Sequence, residues 1–253
     1  MRDVTQRFST RVENYIKYRP GYPPQVLDTL KERCGLTPAS VIADVGSGTG
    51  ILAEIFLRNG NLVYGIEPNR EMREAGERLL SGYPNFHSLD AKAEDTTLPD
   101  KSVDFVTAGQ AFHWFKPAPA RSEFSRILKT GGWVVLVWNF RQDATTEFLG
   151  AYERMLHTYG TDYAEVQHRG DATEANIIEF YGDPPQLATF PNSQSFDFEA
   201  LKGRLLSSSY TPEPGHPNHE PMLHALRTIF DEHQENGRVT FEYDTRLYYG
   251  RLT

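Results

Sequence analysis

The sequence of 253 residues has a single cysteine, Cys34, and no long apolar run. One cysteine excludes an intramolecular disulfide and a zinc site built from cysteines. A membrane-spanning helix takes about 20 consecutive apolar residues, and no stretch approaches that length. The first 24 residues are polar and aromatic, unlike a secretory signal. We therefore expect a cytoplasmic protein without a membrane partner.

Basic residues are in the minority, with 26 Lys and Arg against 34 Asp and Glu and a formal net charge of −8. This acidity argues against nucleic acid as the main partner. His216, His219 and His224 lie close together, but their surroundings are rich in proline and lack a matching pattern of acidic residues. We therefore predict no metal site.

Short apolar runs alternate with amphipathic segments between residues 26 and 140. Such alternation predicts an α/β fold, in which right-handed crossovers build a parallel sheet covered on both faces. The pattern changes afterwards, and we predict a helical insertion over 141–185. A short strand, further helices and a closing hairpin are expected over 186–253. No linker divides the chain, so residues 1–253 are predicted to form one domain, with residues 1–25 as a lid.

A glycine-rich loop follows the first predicted strand, in the stretch "VIADVGSGTGIL". Ligands of open parallel sheets bind at the carboxyl ends of the strands, and glycine permits close backbone approach. A nucleotide-phosphate loop needs a Gly-Lys pair, which is absent, and a dinucleotide loop needs a small residue where Ile51 stands. Both interpretations are therefore weakened, although the following helix still offers free N–H groups to an anion.

Glu67 ends the second predicted strand, in "VYGIEP". Its position beside the glycine loop suits a carboxylate that accepts hydrogen bonds from vicinal ribose hydroxyls. The third predicted strand leads into "DAKAED", where backbone and side-chain groups can meet an adenine edge. These features together indicate a site for adenosine without phosphates.

Four stretches carry a family resemblance: "VIADVGSGTG", "VYGIEPNREM", "AEDTTLPDKSVDFVTAGQAFHWF" and "EFSRILKTGGWVVLVWN". They resemble the class I S-adenosylmethionine-dependent methyltransferases, in particular the methyltransferase type 11 or trans-aconitate methyltransferase-like branch. The resemblance covers residues 12–140 and extends to the tail. It implies a Rossmann-like, doubly wound sheet of seven mostly parallel strands with the last strand antiparallel, and S-adenosyl-L-methionine as cofactor.

The resemblance also implies roles for individual residues. The loop after Asp44 would hold the methionine part, Glu67 the ribose, and Gln110 would lie beneath the methionine part. Ala93 and Glu94 would lie along the adenine. Lys92, just before them, departs from the family pattern, so Asp90 is an alternative adenine contact. The predicted cofactor-binding residues are Tyr18, Arg19, Asp44, Gly46, Ser47, Gly48, Gly50, Glu67, Pro68, Ala93, Glu94 and Gln110.

Two features concern the acceptor side. His113 in "QAFHWF" has a side-chain type whose ordinary pKa suits a general base, or it packs the floor of the pocket with its aromatic neighbours. Arg19, in the aromatic stretch "YIKYRPGYP", is expected to bind the cofactor carboxylate or an anionic acceptor.

The predicted activity is methyl transfer to an oxygen, a carboxylate or a hydroxyl, of a small-molecule acceptor by direct displacement. Two alternatives stay open: a protein that binds the cofactor without turnover, and a nicotinamide-dependent oxidoreductase, which Ile51 disfavours. The oligomeric state is not predicted by these patterns.

Overall fold

The computed structural model describes residues 11–165 and 173–253. Within these ranges the strands are β1 (Val41–Val45), β2 (Leu62–Ile66), β3 (Phe86–Leu89), β4 (Val103–Gly109), β5 (Leu128–Arg141), β6 (Gln186–Phe196) and β7 (Val239–Gly250). The helices are α1 (Val12–Tyr18), α2 (Gln25–Cys34), α3 (Ile51–Arg58), α4 (Arg70–Leu79), α5 (Pro117–Ile127), α6 (Glu147–Tyr159), α7 (Thr173–Tyr181), α8 (Phe198–Leu206) and α9 (His219–His233). A short 3-10 helix spans Phe112–Trp114.

The strands form one sheet of seven in the order β3-β2-β1-β4-β5-β7-β6. Strands β1 to β5 pair in parallel, and β7 is inserted antiparallel between β5 and β6. The predicted fold, with an antiparallel last strand, is confirmed. The parallel strands place their carboxyl ends on one edge, and β1 and β4, where the strand order reverses, lie at its centre.

The closing part differs from the expected hairpin. Strands β6 and β7 pair along their full lengths, but the chain between them passes through α8 and α9. The expected short strand is 11 residues long, and each of its residues pairs with β7, from Val239 to Tyr249. Helix α9, one of the further helices expected in this part, begins at His219 in the proline-rich stretch.

Three apolar clusters support this arrangement. One covers a sheet face with α5 and α7, through side chains such as Phe124 and Phe180, and another covers the opposite face with α2 and α3, through Leu30 and Phe56. The third joins α6, α8 and α9 to the first part of β7 around Phe241. This last cluster forms a separate wall beside the carboxyl end of β5. Over the described ranges, no helix is long and apolar enough to cross a membrane.

Candidate cofactor and acceptor site

Asp44 lies near the carboxyl end of β1 and is fully buried. Its Oδ1 accepts a hydrogen bond of 2.9 Å from the hydroxyl of Thr107 on β4, whereas its Oδ2 has no hydrogen-bond partner among the described residues. Burial raises the pKa of Asp44 to about 7, and its interactions with the Thr107 hydroxyl and the Ala53 backbone offset only part of this rise. The free oxygen therefore favours a cationic ligand group.

The glycine loop is held against the end of β2. The amides of Gly46 and Ser47 both donate to the carbonyl oxygen of Ile66, at 2.8 and 3.1 Å. Gly46 has a φ of +68°, and a Cβ there would lie 2.6 Å from the Cβ of Ala111. Only glycine combines this backbone conformation with so close an approach. The loop thereby leaves open space above Asp44.

Glu67 is buried just after β2 and fixes the same loop. Its Oε2 accepts from the amide of Gly48 at 2.9 Å, and its Oε1 accepts from the amide of Asn69 at 2.8 Å. Burial raises the pKa of Glu67, and these two backbone hydrogen bonds oppose the rise. A carboxylate oxygen accepts more than one hydrogen bond. Glu67 therefore has capacity left for a pair of hydroxyl groups.

Two adjoining cavities open at this edge of the sheet. The larger, of about 310 Å³, extends from Glu67 and Pro68 to Ala93, Glu94 and Trp114. The smaller, of about 30 Å³, extends between the N-terminal segment and the glycine loop. Both are lined by Tyr15, Gly46, Gly109 and Gln110. The two cavities thus form one bent site.

Most predicted cofactor-binding residues line this site: Arg19, Asp44, Gly46, Ser47, Gly48, Glu67, Pro68, Ala93, Glu94 and Gln110. Three predicted site residues line neither cavity. The ring of Tyr18 packs on Gly203 of α8, and Gly50 precedes α3 with its Cα facing Leu80. The ring of His113 packs on Trp114, with ring centroids 4.5 Å apart.

Gln110 follows β4 in a left-handed conformation, with a φ of +54°. This conformation is uncommon for a residue other than glycine. Its amide donates to the carbonyl oxygen of Val137 at 3.0 Å, and its Nε2 donates to that of Asn139 at 3.2 Å. Neighbouring β5 thus holds Gln110 where the two cavities meet.

Arg19 borders the smaller cavity from the N-terminal segment. Its Nη2 donates to the carbonyl oxygen of Ser207 at 2.9 Å, and its Cζ lies 4.9 Å from the centroid of the Tyr15 ring. Burial lowers the pKa of Arg19, and the neighbouring Arg204 lowers it further. Its Nε has no hydrogen-bond partner in the part of the chain that the structure describes.

The residues that line the smaller cavity thus include a carboxylate acceptor and a guanidinium donor whose buried atoms have no described partner. Besides Asp44 Oδ2 and Arg19 Nε, the buried hydroxyl of Thr49 has no described partner. An acidic acceptor and a cationic donor in one small cavity complement the ammonium and carboxylate of an amino acid. Within residues 11–165 and 173–253 no group of three or more His, Cys, Asp or Glu side chains is arranged to hold a metal ion.

Several cavity-lining residues were missing from the predicted set. Asn69 and Met72 come from the start of α4, and Thr49 from within the glycine loop. Trp114 and Phe115 also line the larger cavity, beside Lys116. The motif "QAFHWF" drew attention to its histidine, but the two aromatic residues after it are the ones that face the site.

Residues 43–136 match the family model described as a methyltransferase domain. The chain is also 30% identical over 182 residues to an uncharacterized methyltransferase of Anoxybacillus flavithermus, covering 69% of this chain and 76% of the relative. The chain belongs to the class I S-adenosylmethionine-dependent methyltransferases. The predicted family is thus confirmed, and with it the family's cofactor, S-adenosyl-L-methionine.

Other comparisons agree with this methyltransferase assignment. The chain is 35% identical over 170 residues to an uncharacterized methyltransferase of Mycobacterium tuberculosis, spanning 66% of this chain and 65% of that relative's length. A solved structure of a candidate type II methyltransferase from Anaeromyxobacter dehalogenans superposes with a TM-score of 0.68 at 20% identity, covering 93% of this chain and 98% of that one. At that identity the similarity shows the fold alone.

Proposed function

We propose that this methyltransferase transfers a methyl group from S-adenosylmethionine to an oxygen of a small-molecule acceptor. The observation that carries the proposal is that two residues lining the smaller cavity, Asp44 and Arg19, have buried atoms without a described partner, Oδ2 and Nε, and that this cavity adjoins the larger one beside Glu67. When bound, the cofactor supplies a methyl group that its sulfonium has already activated.

The residues present suit each part of that cofactor. Asp44 would accept hydrogen bonds from the ammonium, and Arg19 would donate to the carboxylate. Glu67 would accept from both ribose hydroxyls, while Ala93 and Glu94 border the space for the adenine. Hydrogen bonds to charged groups are the stronger ones, so Asp44, Arg19 and Glu67 are proposed to dominate affinity.

A direct displacement requires alignment of the acceptor and exclusion of water more than it requires a proton acceptor. The aromatic side chains of Trp114 and Phe115 border the site, whereas His113 lines neither cavity. This placement supports an acceptor oxygen that is already ionised. One relative supports an oxygen acceptor: the chain is 28% identical over 179 residues to a malonyl-[acyl-carrier protein] O-methyltransferase of Marinomonas sp., covering 69% of this chain and 63% of the relative.

The N-terminal segment is proposed to act as a lid. Tyr15 of α1 contributes to both cavities, and the ring of Tyr18 lies against α8. Arg11 anchors the start of α1 by donating to the carbonyl oxygens of Ser208 and, at 2.7 Å, Thr211. Residues 1–10 of the predicted lid lie outside the described residues, as do 166–172 of the predicted helical insertion.

Limited proteolysis tests the lid, since Lys17 is exposed on α1. Cleavage there should slow when S-adenosylhomocysteine is added, because lids commonly order on binding. Removal of residues 1–22 should leave a folded protein with weaker cofactor binding. Equal cleavage rates with and without saturating ligand, together with a fully active truncated protein, would show that the segment is not a lid.

Calorimetry tests the function itself. S-adenosylmethionine and S-adenosylhomocysteine should each bind with one molecule per chain, and NADH should not bind. Tight NADH binding without S-adenosylhomocysteine binding would refute the proposal. Incubation of labelled cofactor with a metabolite extract then separates an enzyme from a cofactor-binding protein, since only an enzyme yields a labelled product.

A further inference from the structure

Three arginines, Arg204 buried and Arg19 and Arg141 partly buried, cluster beside the smaller cavity, which Arg19 lines. Arg19 comes from the N-terminal segment, Arg141 from the end of β5, and Arg204 from α8. The side chain of Arg141 is 11% exposed, and Arg204 is 7% exposed. Arg19 and Arg204 are close enough for their charges to influence each other. Three elements distant in sequence thus bring guanidinium groups to one region.

Two of the three arginines lack a carboxylate partner. Arg141 is the exception, because it pairs with Glu153 and lies 3.4 Å from Asp143, and it also donates to the hydroxyl of Tyr163 at 3.2 Å. Arg204 donates from Nη1 to the hydroxyl of Ser208 at 3.1 Å. Among the described residues, neither Arg19 nor Arg204 has a carboxylate within 4.0 Å, since no salt bridge includes either of them.

Each of the three arginines also has a buried nitrogen without a hydrogen bond to any described residue. These atoms are Arg19 Nε, Arg141 Nη1 and Arg204 Nε, and the buried hydroxyl of Tyr152 shares this condition. A buried cation without a counter-ion is strongly unfavourable, because the desolvation of its charge is not repaid. Such groups are therefore expected where an anion completes them.

Aromatic rings form the walls of this region. The Cζ of Arg141 lies 4.9 Å from the centroid of the Tyr152 ring and 5.7 Å from that of Phe241, and the Cζ of Arg204 lies 5.9 Å from Phe241. Rings stack on guanidinium groups and fix their planes without neutralising their charge. Arg204 is thus oriented by a ring without being neutralised, whereas Arg141 is oriented by rings and paired with a carboxylate.

The arginine cluster lies on the acceptor side of the cofactor site. Arg141 follows Asn139, whose carbonyl oxygen accepts from Gln110 where the two cavities meet. Strand β5 lies next to β4 on the side away from β1 and β2, which carry Asp44 and Glu67. A ligand beside Arg141 and Arg204 would therefore adjoin the methionine end of the cofactor, opposite the adenosine end.

We infer that Arg141 and Arg204 bind an oxyanion of the methyl acceptor, a carboxylate or a phosphate group, while Arg19 lies between this group and the cofactor. The inference rests on the proposed function, because it places the acceptor beside the bound cofactor. It adds a recognition site contributed by β5 and α8 and a chemical requirement on the acceptor, a negative charge.

The test uses the full chain saturated with S-adenosylhomocysteine, so that turnover plays no part. Thermal unfolding is measured at constant ionic strength with succinate and its neutral analogue succinamide, and with glycerol 3-phosphate and glycerol. The anions should raise the midpoint and the neutral compounds should not. A response to succinate identifies a carboxylate site, and a response to glycerol 3-phosphate a phosphate site. Equal responses to charged and neutral compounds would overturn the inference.

The substitution Arg204→Met tests the role of this arginine in anion binding more directly than the wild-type protein does. Loss of hydrogen bonds to a charged group should weaken anion binding by about 10- to 100-fold. The midpoint without anion should stay the same or rise, because an uncompensated buried cation is removed. A merely structural arginine would give the reverse: lower stability and unchanged anion binding. Arg227→Gln is the matched control for charge, because Arg227 lies on α9, stacked on Phe198 and paired with Asp231.

Arg204→Lys serves if the methionine variant does not fold. It keeps the charge but loses the planar fork, so weaker anion binding is expected, and unchanged affinity would overturn the inference. S-adenosylhomocysteine binding without any anion response would overturn the anion site and leave the proposed function standing. Failure of S-adenosylhomocysteine to bind would instead refute the proposed function.

Discussion

Strands β1 and β2 lead into carboxylates, Asp44 and Glu67, whereas β5 ends at Arg141 and the neighbouring α8 adds Arg204. The carboxylates accept hydrogen bonds from Thr107 and from backbone amides. Arg204 contacts an aromatic ring and a neutral hydroxyl, whereas Arg141 contacts aromatic rings and pairs with Glu153. The proposed cofactor side of the sheet edge is thus built on carboxylates, and the proposed acceptor side on guanidinium groups.

The two sides also differ in how they are assembled. Glu67 and Gly48, on the cofactor side, are 19 residues apart in the chain. Asp44 and Thr107, also on that side, are 63 residues apart. Beside β5 and α8, the hydrogen bond between Arg19 and Ser207 joins residues 188 apart, and that between Thr245 and Asn139 joins residues 106 apart. Contacts of shorter range therefore build the proposed cofactor side, and contacts of longer range build the proposed acceptor side. The predictions below test this division.

The largest effect is expected at Glu67. Glu67→Ala should weaken S-adenosylhomocysteine binding by about 2–4 kcal/mol, or about 30- to 1,000-fold, through the loss of hydrogen bonds to the ribose. It also leaves the amides of Gly48 and Asn69 without their acceptor. Calorimetry measures the change, with Glu74→Ala as the control because Glu74 is an exposed partner of Arg70. An unchanged dissociation constant would remove Glu67 from the site.

A pH dependence should follow from Asp44. Its pKa in the folded protein is about 7, raised from 3.8 by burial, and the ligand ammonium requires the ionised form. Binding of S-adenosylhomocysteine should therefore weaken by about 30-fold from about pH 8 to about pH 5.5, since each pKa unit corresponds to a tenfold change. Glu67, whose pKa is also raised, acts in the same direction.

The stability of the ligand-free protein should change with pH in the opposite direction to the binding affinity. Between the ordinary pKa of an aspartic acid and about 7, the folded protein without ligand retains a proton that the unfolded chain has lost. Stability without ligand should thus fall as pH rises through this interval. Asp44→Asn should flatten both profiles. A wild-type affinity that is constant from about pH 5.5 to about pH 8 would contradict the assignment of Asp44 to the ammonium.

A smaller effect is expected where α1 docks on α8. A Cβ on Gly203 would lie 2.0 Å from Cε2 of Tyr18, so Gly203→Ala should lower stability by about 1–3 kcal/mol through overpacking. It should also weaken cofactor binding if α1 is a lid. Gly150→Ala in α6 is the matched control, since its nearest neighbour is a flexible end of Arg154 at 3.4 Å. Equal stability of the two variants would show that Tyr18 does not require Gly203.

The smallest effect is expected at His113. Because its side chain lines neither cavity, His113→Asn should change cofactor affinity and transfer rate by no more than about twofold, the range of substitutions outside critical contacts. Trp114→Ala, one residue along, removes a cavity wall and should weaken binding more. A large loss of rate in His113→Asn, with a changed pH profile, would restore His113 as a general base.

The sequence by itself determined the cofactor side of this protein. Alternating apolar runs predicted the parallel sheet, because strand and helix periodicities are local properties. The glycines after Asp44 and the acid that ends β2 predicted an adenosine site without phosphates, since both lie at carboxyl ends that a parallel sheet brings together. Ten of the twelve predicted cofactor-binding residues line the two cavities, although their contact with the cofactor stays a prediction.

The proposed acceptor side depends on tertiary packing instead. Tyr15 and Tyr18 are both aromatic residues of α1, but Tyr15 lines the cavities whereas the ring of Tyr18 packs on Gly203. Arg141 and Arg204 stand 63 positions apart in the printed sequence and carry no motif. Their approach depends on β7 pairing with β5 and on α8 packing against that pair. Sequence spacing does not encode such long-range packing, because it is fixed by which apolar faces cover one another.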